Sequence, residues 1–302
     1  MFKAFSIIDG KLIESENGKA QVYIYSNPDE KERLSLLNQS LDEHTLTSSL
    51  DPEEVGRIEF EDTHLAAIIK RPRRYHSEDN FLFRVSSVGL FLFPDKLIII
   101  MSEGDILAEG KIFSKTQTVQ DLFLRIIFQS LTHFEGHLKV IHKMSDELEL
   151  EINQALSNRD LLHMFKLEKS LVYYLDAINS NNKVVEKLKN NAAKLGFSKE
   201  VTEFLDDLII EGNQCLRQAE TYSEVLSGMM DAWASIINNN LNIRIKTLTI
   251  LSLCIMTPTL VVSLFSMNVD MPLPHGVGSF WIVVALAAVS VAILVGIFSK
   301  KW

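Results

Sequence analysis

The chain has 302 residues, a formal net charge of −9 and 47% apolar residues. An acidic balance, with no basic patch interleaved with aromatics, excludes a general nucleic-acid binder. No phosphate loop, nucleophile elbow or zinc-protease motif occurs in the sequence, so nothing points to an enzyme. Cys215 and Cys254 are isolated and fall in helical patterns, which suggests neither a thiolate metal site nor a disulfide framework and fits a reducing compartment.

The first residues, Met1 to Asp9, lack the apolar core and cleavage site of a secretory signal, so the N-terminal portion is expected in the cytoplasm. Residues 1–117 read as a small cytoplasmic α/β domain. Short β-prone runs (Phe2–Ile8, Gln21–Tyr25, Arg57–Phe60, Leu65–Lys70, Phe81–Val85, Val88–Phe93 and Leu97–Met101) are separated by turns such as Asp9-Gly10, Pro94-Asp95 and Glu103-Gly104. Asn27-Pro28-Asp29-Glu30 marks a helix start, with Pro in the first turn and acids near the N-terminus. Arg71-Pro72-Arg73-Arg74 reads as a solvated loop.

Residues 118–197 show helical periodicity and are expected to form a helical bundle, with polar interruptions near Ser157-Asn158 and Asn179–Asn182 and a stop at Leu195-Gly196. A new helix starts at Ser198, with Glu200 and Glu203 complementing its dipole. From Lys199 no proline appears until Pro258, so residues 198–265 read as a long stalk helix running into a first membrane span at about 246–265. That span contains an 18-residue apolar stretch, Leu248 to Phe265, and a second of 19 residues runs from Phe280 to Phe298. Each can cross about 30 Å of hydrocarbon. Between Thr247 and Ser299 the only formally charged residue is Asp270.

Arg244 and Lys246 precede the first span, Lys300-Lys301-Trp302 follow the second, and the segment between them, residues 266–279, has no Lys or Arg. The positive-inside rule then makes 266–279 an external loop, 280–299 the second span and 300–302 a cytoplasmic basic tail, in a cell (inner or plasma) membrane. Trp281 and Trp302 bracket the second span as interfacial anchors.

Counting backward from Ser266 in alternating steps of three and four reaches Ser263, Thr259, Met256, Ser252, Thr249, Ile245, Asn242, Asn238, Ser235 and Asp231. A mean step of 3.5 keeps these on one face of a supercoiled helix. A polar seam on an apolar helix serves either helix packing or a water-filled pore. Packing has no need of a carboxylate and two carboxamides on the same line, which favours the pore.

Phe265-Ser266-Met267-Asn268, the proline-containing Thr257-Pro258-Thr259-Leu260, the loop's Met271-Pro272 and the basic tail resemble the CorA-type divalent-cation (magnesium) transporter family. That family ends its first membrane helix with an aromatic and Gly-Met-Asn. The α/β portion and the long helical run match its layout, so the resemblance covers the whole chain. It implies a funnel-shaped homopentamer that moves hydrated Mg²⁺, and related divalent ions such as Co²⁺ or Ni²⁺, down the electrochemical gradient. The implied pore is lined by the first span, with Ser266, Met267 and Asn268 as selectivity motif and Asn268 facing the hydrated ion. Pore positions carry over to Thr259, Met256, Leu248, Ile245, Asn242 and Asp231, and a regulatory divalent-ion acid to Asp207, with Asp206 beside it.

Two departures from the family pattern stand out. Ser266 replaces the motif's glycine, and the loop has no acid after Met271-Pro272, leaving Asp270 as its only acid and His275 as its only histidine. The zinc-transporting branch of the superfamily, and a non-conducting membrane scaffold, are the alternatives. His133 and His137, four apart, with His142 are the residues a zinc site would draw on; a solvated helix face is the simpler reading.

Overall fold

The computed structural model describes residues 1–15, 20–104, 106, 113, 116–152, 158–267 and 277–299. The chain divides into two compact units, Met1–Met230 and Asp231–Trp302.

The first unit is built on a seven-stranded sheet. Its strands are β1 (Phe2–Ile8), β2 (Lys11–Glu14), β3 (Val22–Ser26), β4 (Arg57–Phe60), β5 (Leu65–Pro72), β6 (Val85–Leu92) and β7 (Leu97–Met101). They lie in the order β2-β1-β3-β7-β6-β5-β4. All neighbours are antiparallel except β3 and β7. The central strands are near-continuous apolar runs because both faces are covered. The two-residue side-chain period sorts them into two cores. Ala67, Ile69, Val88, Leu90 and Ile99 pack on one side with Phe123, Ile126 and Leu208, whereas Ala66, Phe91, Ile98 and Ile100 pack on the other with Leu36, Leu41 and Leu46.

The first side is covered by long helices α3 (Val119–Ile152) and α4 (Asn158–Asn190) and by the start of α5 (Lys199–Phe265); the second by the short α1 (Glu30–Leu37) and α2 (Glu43–Ser48). α1 starts at Glu30, two residues after Pro28, so the acids lie in its first turn while the proline precedes the N-cap. Asp29 is the N-cap, and its side chain and that of Glu32 exchange hydrogen bonds with each other's backbone N–H. Asp9-Gly10 forms the β1–β2 turn with both residues at positive φ, as a tight hairpin requires.

Two expectations are corrected. The run Phe81–Val85 is not a strand throughout. A 3-10 turn at Ser77–Asp79 is followed by Asn80 and Phe81 in the left-handed region, so β6 begins only at Val85. Phe83 N–H instead donates to Ser170 Oγ on α4, at 2.9 Å. Nor do Asn179–Asn182 interrupt a helix, since α4 runs through them unbroken. Asn181 is fully buried and bonds β5 with both ends of its carboxamide. Lys70 N–H donates to its Oδ1 at 2.8 Å, and its Nδ2 donates to Lys70 C=O at 2.7 Å. Polar residues that resemble a helix break are here a helix-to-strand clamp.

α4 ends at Asn190 and a turn closes with Gly196 at φ +64°, the glycine terminator expected there. Ser198 Oγ then accepts Val201 N–H at 3.3 Å and α5 begins. α5 is one helix of 67 residues with Pro258 inside it, about 100 Å at 1.5 Å per residue.

Cys215, on α5 within the first unit, is wholly buried. Burial, with Glu135 and Glu211 adding negative charge, pushes its thiol up to about 12. A thiol raised above its unfolded value of about 8.5 gives stability that is complete below that pH and lost as pH climbs toward 12. In a Cys254→Ala background, maleimide at pH 8 is expected to leave native Cys215 unmodified and to label it in denaturant. Native labelling at the unfolded rate would contradict this burial.

Candidate functional site

The second unit contains the C-terminal part of α5 and the helix α6 (Val277–Ser299). Both satisfy the length and apolarity needed to span a membrane. Their burial is not uniform around the helix. On α5 the half-buried residues are Ile250, Leu253, Cys254, Thr257, Pro258, Val261 and Phe265. On α6 they are Ser279, Val283, Ala287, Ser290, Val291, Leu294 and Phe298. Each set recurs at three- and four-residue spacing and so forms a seam along one helix face.

The polar stripe lies elsewhere. Thr249, Ser252, Met256, Thr259, Ser263 and Ser266 are all exposed. At 3.6 residues per turn their mean direction is roughly 170° around the helix from the α5 seam. Lower on the same line, Asp231, Ser235, Asn238, Asn242 and Ile245 are exposed as well, and so is Leu248 beside it. A polar row on an apolar helix is thus left exposed, opposite the half-buried seam of the same helix.

Four hydroxyls on this row bond back to the helix's own carbonyls. Thr249 Oγ1 donates to Ile245 C=O at 2.8 Å, Ser252 Oγ to Leu248 C=O at 2.9 Å and Thr259 Oγ1 to Ile255 C=O at 2.7 Å. Ser266 Oγ donates to Ser263 C=O at 2.9 Å. The hydroxyl proton is committed to the helix, so the outward side of each oxygen presents lone pairs. Such a row accepts hydrogen bonds from water and favours cations over anions. No sequence pattern reveals this orientation beyond the known tendency of helical Ser and Thr to bond back one turn.

Asn268, Asp270 and His275 lie outside the described residues, whereas Ser266 and Met267 are exposed just past the last turn of α5. Asp207 is exposed, while its neighbour Asp206 is ion-paired with Lys189. Among the described residues no group of three or more His, Cys, Asp or Glu is positioned to hold a metal ion. His133, His137 and His142 are not assembled for that purpose. His137 Nδ1 lies 2.6 Å from Tyr174 OH, and His142 stacks on Tyr222 and faces Asp146 at 3.6 Å.

The family model of the CorA-like Mg²⁺ transporter protein matches residues 19–301. The chain belongs to this family. The cobalt/magnesium transport protein CorA of Methanocaldococcus jannaschii is 28% identical over 270 residues, which are 85% of this chain and 82% of that protein. The complete structure of the CorA magnesium transporter from the same organism superposes with a TM-score of 0.81 at 22% identity, covering all of this chain and 97% of that one. The full-length CmaX protein gives a TM-score of 0.74 at 14% identity, with the same coverage. At these identities the structural matches speak to the fold. An N-terminal α/β portion, long helices and two apolar C-terminal helices are therefore a CorA-like architecture, and the family is one of transporters.

Proposed function

We propose that this CorA-like chain is a channel for hydrated divalent cations, Mg²⁺ first and Co²⁺ or Ni²⁺ with it. The observation that carries the proposal is the exposed row of acceptor oxygens on α5, opposite that helix's half-buried seam. Several copies of that row, brought together around an axis, enclose a path whose wall is polar and whose outer support is α6. A homopentamer of the kind the family resemblance implies meets this need. The similarity to an archaeal cobalt/magnesium transport protein and to the structure of an archaeal magnesium transporter supports the choice of ion.

Mg²⁺ sheds water reluctantly and is handled best with its waters in place. Hydroxyl and carboxamide oxygens of Thr249, Ser252, Thr259, Ser263, Asn238 and Asn242 accept bonds from those waters without replacing them. Asn268 forms the external ring that selects the hydrated ion, with Ser266 and Met267 shaping its mouth and Asp270 attracting cations to it. Rings of Met256, Leu248 and Ile245, exposed on the same side, close the path by dewetting. Asp231 draws the ion onward at the lower end. Two charges falling through 100 mV release roughly 4.6 kcal/mol, about a 2000-fold concentration bias, so a passive gradient suffices.

Both termini lie in the cytoplasm, and residues 1–117, 118–197 and the stalk before the span form the regulatory body. Asp207, exposed and without an ion pair among the described residues, is the acid through which cytoplasmic divalent ions regulate the pore.

Purified protein in liposomes tests this reading. Mg²⁺ flux that needs a membrane potential and no pH gradient is the expected result. Zn²⁺ flux driven by a pH gradient, with Mg²⁺ excluded, would instead favour the zinc branch. Flux of neither ion would favour a membrane scaffold.

A further inference from the structure

Arg71-Pro72-Arg73-Arg74 leaves β5 at the end of the sheet and has no part in an ion path. The structure makes it one wall of a cleft of about 320 Å³ in the first unit. Arg71, Arg73, Arg74 and Arg84 line this cleft together with Tyr75 and Ser86. Its two acids are already engaged. Glu103 pairs with Arg73, and Asp79 Oδ2 accepts the His76 backbone N–H at 2.7 Å. Four guanidiniums against two carboxylates repel a divalent cation and attract an anion.

The strand register sharpens this. Pro72 faces Val85 and Arg71 faces Ser86 across the β5–β6 ladder. Arg73 N–H donates to Arg84 C=O at 2.9 Å, which sets these two arginines opposite each other. Like charges in that position are destabilising, and Glu103 offsets only the Arg73 member of the pair. The two-residue period puts Arg71, Arg73, Arg84 and Ser86 on the same face. Arg71 and Ser86 are only 8% and 6% exposed. The Ser86 hydroxyl lines the cleft and makes no side-chain hydrogen bond with any described residue. That hydroxyl is open to the cleft and free to donate to a ligand oxygen.

We infer that this cleft binds a small molecule bearing phosphate groups, held by the Arg71, Arg73 and Arg84 guanidiniums and the Ser86 hydroxyl. Guanidinium matches phosphate oxygens in paired, planar fashion, which a carboxamide or an ammonium does less well. The volume suits a compact ligand with one to three phosphates. The inference is independent of transport.

Isothermal titration of the full-length protein in detergent, in EDTA and 50 mM NaCl, with pyrophosphate and ATP as probes, tests it. The expected result is saturable binding of both probes, with pyrophosphate displacing ATP and 300 mM NaCl weakening both. Arg84→Gln is expected to weaken binding at least about tenfold, with an unchanged melting temperature because the side chain is exposed. Arg217→Gln, an exposed arginine on α5, should bind as the parent does. No saturable binding of either probe, or equal affinity in the Arg84→Gln and Arg217→Gln proteins, would overturn the inference.

Discussion

Replacing Asn268 by Ala is expected to lower Mg²⁺ flux by roughly 30-fold while leaving assembly intact. The proposed ring acts by accepting hydrogen bonds from the ion's own waters. Ala offers no acceptor. Two lost bonds at about 1 kcal/mol each correspond to that factor. Flux in liposomes under a fixed potential measures it, with size-exclusion chromatography confirming that the oligomer persists. Asn268→Asp separates acceptor capacity from charge, since it keeps the acceptors and adds a charge that holds the ion longer. Unchanged Mg²⁺ flux in the Ala variant would rule out Asn268 as the selecting ring.

Asn181→Leu is expected to destabilise the protein by about 2–4 kcal/mol. The reason lies in the sheet edge. β4 covers β5 only as far as the Arg57–Ile68 pair, so Lys70, two residues on, has no strand beside it on that side. Asn181 takes the place of that strand, accepting the Lys70 N–H and donating to its C=O. Ser130 Oγ also donates to the carbonyl, at 2.6 Å. Leu would leave the N–H buried and unbonded, at a cost of about 1–3 kcal/mol, and would remove one of two bonds to the carbonyl. The position is fully enclosed, so water cannot substitute. The lysine's own ammonium is held by Pro52 C=O at 2.7 Å and Ser87 Oγ at 3.1 Å. Its pKa is lowered by burial, which nearby acids oppose. This corner of the fold therefore depends on every polar contact it makes. A fall in the thermal midpoint of several degrees measures the effect, and an unchanged midpoint would refute the clamp.

The apolar pattern made most of the fold legible. β5, β6 and β7 read directly as buried strands, and the absence of proline between Lys199 and Pro258 announced α5. What escaped reading was polar. Asn179–Asn182 look like a break because their partner is a strand more than a hundred residues away, and Phe81–Val85 look like a strand because a left-handed Asn80–Phe81 pair leaves no composition signal. β2 passed unnoticed since a four-residue edge strand carries little pattern. The stripe on α5 was legible from its spacing alone. The direction of its hydroxyl protons, and the half-buried seam on the other side of α5, depend on the folded structure rather than on residue type. The arginines of the β5–β6 cleft looked like a solvated loop because their meeting with Arg84 and Ser86 depends on strand register.

Cysteine accessibility along α5 tests the pore most directly. In a Cys254→Ala background, with Cys215 buried and inert, single cysteines at Thr259 and Val261 are compared in liposomes. A small, positively charged thiol reagent applied during Mg²⁺ flux should block the Thr259→Cys channel and leave the Val261→Cys channel conducting. Equal block at both positions, or block only at Val261, would contradict a pore lined by the polar row of α5.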